Sequence, residues 1–166
     1  MLLKPDIKLN RITDINVEIL KKFNIKALLL DVDNTMSTHH GTVLVDGLKD
    51  WILNMQQNGI KLIVVSNSKK FRISPFAQRI NLPFISLACK PLPMGYIRGA
   101  KALGEKLKNT AIVGDQIFTD VMGGNAVGVK TILLTPIKPE DGWSFRLRRN
   151  LEKRIYKHYK IKDYEV

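Results

Sequence analysis

Four short apolar runs, each followed by a polar or glycine-containing loop and then a helical pattern, restrict what this chain can fold into more than any other feature. They are Lys26–Asp31 (KALLLD), Ile60–Ser66 (IKLIVVS), Thr110–Gly114 (TAIVG) and Lys130–Thr135 (KTILLT), with Pro83–Ala88 (PFISLA) as a weaker fifth. Amphipathic spacing predicts helices near Ile15–Phe23, Val45–Gln57, Phe71–Ile80, Met94–Leu107 and Phe118–Ala126. Runs that are apolar throughout, rather than alternating, suit strands buried on both faces, and intervening helices make such strands parallel. The expected class is therefore α/β, a doubly wound, mostly parallel sheet, in one domain over residues 1–166. In such sheets ligands bind beyond the carboxyl ends of the strands, so functional residues are expected just after the apolar runs.

That is where the chemistry-bearing residues fall. Asp31 and Asp33 end the first run, Ser66 and Asn67 the second, Lys90 follows the weak one, and Asp115 follows the fourth, with Asp120 close behind. Any one of these acids, alone, reads best as a helix cap or a loop residue. The ordered set does not. Asp31 and Asp33, one residue apart at a buried strand end, repel each other, and a lysine and a divalent cation would relieve them. Hard oxygen ligands suit Mg2+, which keeps waters and shares phosphate oxygens. Phosphoryl transfer needs a nucleophile, neutralisation of the equatorial oxygens and in-line geometry. Asp31 can attack phosphorus, Asp33 can move protons, Lys90 can neutralise the phosphate, and Ser66 with loop N–H groups can hold its oxygens.

Motif by motif, the sequence resembles the haloacid dehalogenase superfamily of phosphatases. DVDNT at Asp31–Thr35 resembles its first motif, Ser66-Asn67 its second, Lys90-Pro91 its third and GDQIFTD at Gly114–Asp120 its fourth. The resemblance implies Asp31 as nucleophile, Asp33 as acid and base, and Ser66, Asn67 and Lys90 as phosphate ligands. It also implies Mg2+ held by Asp31, the Asp33 carbonyl and Asp115, with Asp120 ordering the shell. The intervals from Thr35 to Ser66 and from Asn67 to Lys90 have no room for the inserted cap of larger members, so a capless, open site is expected. A narrower resemblance, to the YqeG-type subfamily, rests on Leu3–Ile15, Gly114–Leu134 and the basic C-terminus. Its kinship with phosphatidylglycerophosphate phosphatases implies a phospholipid substrate. Met36 stands where Leu commonly follows the motif's Thr.

The chain carries a net charge of +12, which suits an anionic partner without choosing one. Within Trp143–Lys162, Trp143, Leu147, Leu151, Ile155 and Tyr159 recur every four residues among arginines and lysines. Two readings fit: an interfacial helix on anionic lipid, or a helix packed on the domain with its charges in water. The lipid substrate favours the first. Nucleic acid is the weaker choice, since no reading-head motif accompanies the charge. Cys89 is the only cysteine, so no internal disulfide forms; it is expected to be a small buried residue. His39 and His40 are expected to be plain flap residues rather than substrate contacts, and Gly123-Gly124 to permit close helix packing or a turn near the fourth motif. With no long apolar run, the expected location is cytoplasmic, peripheral at the inner membrane face. The alternatives are the same chemistry on a soluble metabolite, a nucleic-acid end or a phosphoprotein, and a non-catalytic basic binding module. Paired acids on so basic a chain argue against the last.

Overall fold

The computed structural model describes residues 1–38, 43–138 and 142–165. Six strands form one sheet in the order β1-β6-β5-β2-β3-β4, every neighbouring pair parallel. They are β1 (Ile7–Leu9), β2 (Ala27–Leu30), β3 (Lys61–Val65), β4 (Phe84–Ile85), β5 (Thr110–Gly114) and β6 (Lys130–Leu134). The helices are α1 (Val17–Lys22), α2 (Leu48–Gln57), α3 (Lys70–Arg79), α4 (Pro93–Ala102), α5 (Met122–Val127) and α6 (Trp143–Tyr159). The parallel α/β architecture expected from the apolar runs is the one observed.

Both faces of the central strands are covered, and period-two alternation divides their side chains between two clusters. Leu28, Leu30, Leu62, Val64, Ala111 and Val113 face the larger cluster, with Leu20, Trp51 and Met55 from the helices. Leu29, Ile63, Val65 and Ile112 face the other, against Tyr96 and Val129. Each such apolar side chain contributes about 1.5–3 kcal/mol on burial. Local signals set the helix ends. Asn16 caps α1 by accepting from Ile19 N–H at 2.8 Å. Pro93 opens α4, and Gly104 at φ +65° stops it, so the helix ends well before Leu107.

The first strand was not among the predicted ones. Ile7-Lys8-Leu9 is three residues long with a lysine at its centre, so it offers no apolar run. Tertiary contacts make it a strand. It pairs with β6, and Tyr164 N–H from the C-terminal segment donates to Lys8 O at 2.7 Å on its outer edge. The buried Lys8 ammonium donates to Leu9 O, Thr135 Oγ1 and Asp163 Oδ1.

Strand β2 lies between β3 and β5, so the chain runs outward in both directions from it. This makes the β2/β5 crevice the switch point where ligands bind. Among the described residues, α2 is the one helix between β2 and β3, and α3 the one helix between β3 and β4. A bridge from Asp33 to Ser37 and another from Ser37 to Leu44 fold the first loop back on itself as a small flap.

Gly123 and Gly124 let α5 approach its neighbours closely, as expected. A Cβ at Gly123 would overlap the Tyr96 hydroxyl and Pro91 O; one at Gly124 would meet Ile112 and Thr131. Gly123→Ala should cost about 1–3 kcal/mol in urea unfolding, through overpacking against backbone that cannot yield. An unchanged midpoint would mean that α4 and α5 do not meet this closely.

Candidate active site

Every parallel strand ends on the same edge of the sheet, and that edge collects the predicted residues. Asp31 follows β2, Ser66 follows β3, Lys90 follows β4 and Asp115 follows β5. Asp120 returns to the same point through a π turn over Ile117–Val121, where Val121 N–H donates to Gln116 O at 3.3 Å. Such widened turns recur at functional sites. Gly114 has to be glycine because a Cβ there would overlap the Asp120 carboxylate.

Lys90 is the hub. Its buried ammonium donates to Asp31 Oδ1 at 2.8 Å and to Asp120 Oδ1 at 2.7 Å. Burial works against that charge, but Asp120 and Asp31 outweigh it and raise the Lys90 pKa. One oxygen each from Asp31, Asp115 and Asp120 lies within 4.8 Å of the others, and all three residues are buried. Of their side chains, Asp31 keeps 12% exposure, against 2% for Asp120 and 0% for Asp115. The carboxylate best placed to meet a substrate is therefore Asp31. Asp115 Oδ1 is buried without a hydrogen-bond partner among the described residues. A buried, unpaired carboxylate oxygen beside two further carboxylates fits a hard divalent cation.

The supporting residues differ in part from expectation. Ser66 is buried, and its Oγ accepts from Ser68 N–H at 3.1 Å, leaving the hydroxyl proton to donate elsewhere. Asn67 places both ends of its amide on the Lys90 backbone: Nδ2 donates to Lys90 O at 3.0 Å, and Oδ1 accepts from Lys90 N–H at 2.7 Å. Its side chain therefore anchors the lysine loop. The Asp33 carboxylate stands apart from the acidic cluster and takes both guanidinium nitrogens of Arg72, on α3. The neighbouring acids are thus relieved by two different cations. Arg72 carries no motif, and its sequence gives no sign of a partner 39 residues away.

Corrections fall at Cys89 and in the C-terminal helix. Cys89 is exposed, because its backbone sits at φ +55° and turns the thiol outward while Ala88 and Lys90 point in. Helix α6 packs at the carboxyl edge of the sheet, and only the C-terminal end of the predicted stripe takes part, with Ile155 against Ile117, Val121 and Leu133. Its inward residues are Arg148, Arg149, Glu152, Ile155 and Tyr156, while Trp143, Leu147 and Leu151 are exposed. Polar groups hold its middle to the site. Arg149 Nη1 donates to Asp115 O at 3.0 Å and Nη2 to Asp115 Oδ2, and Glu152 Oε1 accepts from Ile117 N–H at 2.9 Å. Apolar periodicity could not reveal a helix docked by charge. No helix among the described residues is long and apolar enough to cross a membrane. His39 and His40 lie outside the described residues.

A strand-edge cluster of three aspartates around a buried lysine, on this topology, defines a hydrolase of a known kind. The chain belongs to the haloacid dehalogenase-like hydrolases, whose family model matches residues 17–128, and it is an enzyme. It is 35% identical over 158 residues, 95% of this chain and 92% of the relative, to a Bacillus subtilis protein named "Probable phosphatase YqeG". Among solved structures it resembles an uncharacterized protein from Listeria monocytogenes (TM-score 0.58, 14% identity, 82% of this chain and 100% of that one). It also resembles the cobalt-bound deoxy-D-mannose-octulosonate 8-phosphate phosphatase from Haemophilus influenzae (TM-score 0.51, 19% identity, 82% and 90%).

Burial pushes the Asp31 carboxyl from 3.8 up to about 7; Lys90 pulls it down, while Asp120 and Asp33 push it further up. Between those values the folded chain binds more protons at Asp31 than the unfolded chain does. Without a metal ion, stability therefore falls as pH rises through that window. Asp31→Asn, which cannot ionise, should raise the melting temperature in EDTA more at about pH 8 than at about pH 5. A gain that shrinks with rising pH would contradict this electrostatic picture.

Proposed function

We propose that the chain is a Mg2+-dependent phosphomonoesterase that works through an aspartyl phosphate on Asp31. The observation that carries this reading is the one partly open carboxylate, Asp31, held by a buried lysine beside two fully buried ones. Asp31 attacks phosphorus and the bond to the leaving oxygen breaks, with Asp33 giving that oxygen its proton. Water then attacks the acyl phosphate, Asp33 takes the water's proton, and inorganic phosphate leaves Asp31. Arg72 holds both Asp33 oxygens, so both proton transfers require that pair to open. Lys90 has a third N–H for a phosphate oxygen, and the Ser66 hydroxyl supplies a further donor. A divalent cation on Asp31 and Asp115, with the Asp33 carbonyl and Asp120 supporting it, would neutralise the transferring phosphoryl group. The cobalt in the Haemophilus phosphatase agrees with a divalent ion in this fold.

A phospholipid phosphate, phosphatidylglycerophosphate, is the substrate we assign. Large apolar side chains are exposed where segments leave the carboxyl edge of the sheet. Phe71 (77%) follows β3, Leu87, Leu92 and Met94 follow β4, and Trp143 (79%) and Leu147 follow β6. Phe71 and Leu87 line one hollow together with Lys69 and Lys70. Apolar groups among basic ones, around an open catalytic edge, suit an anionic membrane surface. Among the described residues no deep cap hides the site from a bilayer.

Phosphate release from phosphatidylglycerophosphate in mixed micelles, beside a panel of soluble esters, tests the assignment. Lipid preference is expected, with turnover abolished by Asp31→Asn and reversibly by EDTA. Hydrolysis of soluble esters alone would keep the chemistry and remove the lipid. Lys90→Ala should lower kcat by about 100- to 1,000-fold, as expected for losing the main cation at developing charge. Trp143→Glu with Leu147→Glu should weaken binding to phosphatidylglycerol vesicles while leaving soluble-ester hydrolysis unchanged. Undiminished vesicle binding would exclude this part of α6 from the membrane contact.

A further inference from the structure

The family's motifs end at Asp120, yet the most heavily bonded cation beside Asp115 comes from α6, 34 residues beyond it. Arg149 takes Asp115 at two points, the main-chain oxygen and Oδ2. It is aimed in turn by Glu152, whose Oε2 accepts from Arg149 Nη1 at 2.7 Å. Glu152 is almost fully buried, and its other oxygen is fixed on Ile117 N–H. Both oxygens of Glu152 are thus assigned, and Arg149 is held by a partner that cannot swing away. The effect on Asp115 is directional. One carboxylate oxygen is occupied by the guanidinium, and the other, Oδ1, is left buried and unpartnered among the described residues.

We propose that Arg149 is a positioning residue for the metal site. By holding Oδ2 and the Asp115 carbonyl it fixes the carboxylate rotation that offers Oδ1 to a divalent cation. This inference rests on the metal-dependent reading above and adds to it a part of the site outside the four motifs. The metal ligand, its orienting arginine and the glutamate behind it form a relay from β5 to α6. Such outer partners of a ligating carboxylate govern metal affinity by about 10- to 100-fold. A competing arrangement is imaginable in the same geometry: a guanidinium that stands in for the metal and must leave when the metal arrives. The two differ in sign, because removing a competitor tightens metal binding and removing an orienting group loosens it.

The experiment is calorimetric titration of the full-length chain with Mg2+, repeated with Mn2+ followed by electron paramagnetic resonance, so that affinity is read without turnover. Arg149→Ala is expected to weaken binding of both ions by about 10- to 100-fold. Arg149→Lys is expected to recover part of the loss, since one ammonium can replace one of the two contacts. Arg154→Ala, an exposed charge on the same helix, should bind as the wild type does. Because Arg149 also helps to dock α6, Ile155→Ala is the second variant. It removes apolar packing of the helix against Ile117, Val121 and Leu133 but leaves Glu152, Arg149 and Asp115 bonded to one another, and its loss of affinity should be clearly smaller. Equal losses in Arg149→Ala and Ile155→Ala would assign the effect to helix docking and overturn the inference. Unchanged or tighter binding by Arg149→Ala would overturn it too, while wild-type binding kept the metal reading intact. No binding of either ion by the wild-type chain would overturn the metal reading and this inference together.

Discussion

The structure is organised around a charge imbalance. Asp31, Asp115 and Asp120 are brought together at the carboxyl edge of the sheet, where burial makes ionisation of Asp31 and Asp115 costly. Among the described residues Lys90 and Arg149 are the cations bonded to them, and Arg149 is shared with Glu152, so two positive charges face four carboxylates. The remainder has to be met by a proton or by a further cation. A chain selected only for stability would replace such a cluster with apolar groups. Its presence here, on strands whose apolar packing is otherwise complete, identifies the place where stability is given up for chemistry.

Much of the local structure follows from holding that cluster in position. Gly114 clears the space that the Asp120 carboxylate enters, and the π turn brings Asp120 back over the end of β5. The amide of Asn67 clamps the Lys90 backbone, so the lysine's reach is fixed from the neighbouring strand. Tyr96, donating to Thr119 O, ties α4 to the same turn. The last two contacts link segments 23 residues apart in sequence. The site therefore exists only when the sheet is assembled.

Helix α6 joins the two halves of the functional picture. Its inward side carries the arginine and glutamate that reach Asp115 and Ile117, and its outward side carries Trp143, Leu147 and Leu151 among basic residues. A surface contact made on the outer side would lie one helix diameter, about 10 Å, from the acidic cluster. That closeness is what the proposed surface-bound substrate would require of the catalytic edge.

The sequence by itself determined the sheet class, its parallel direction and the strand-end placement of Asp31, Ser66, Lys90 and Asp115. Those follow from local apolar runs and from a topology rule that needs no coordinates. The expectation of a capless site likewise rests on the sequence alone, on the shortness of the intervals between motifs. Tertiary structure alone decided the rest. Ile7–Leu9 is a strand because β6 and the C-terminal segment lie on either side of it. Asn67 serves Lys90, Asp33 pairs with Arg72, and Cys89 turns outward, all through contacts or backbone angles that no spacing encodes. The greatest gap was at α6. Its periodicity pointed to an apolar contact, whereas its middle docks through Arg149 and Glu152 against partners more than 30 residues away. Apolar patterns report which face avoids water. They are silent on which distant charge a buried arginine will find, and here that decides how the helix meets the site.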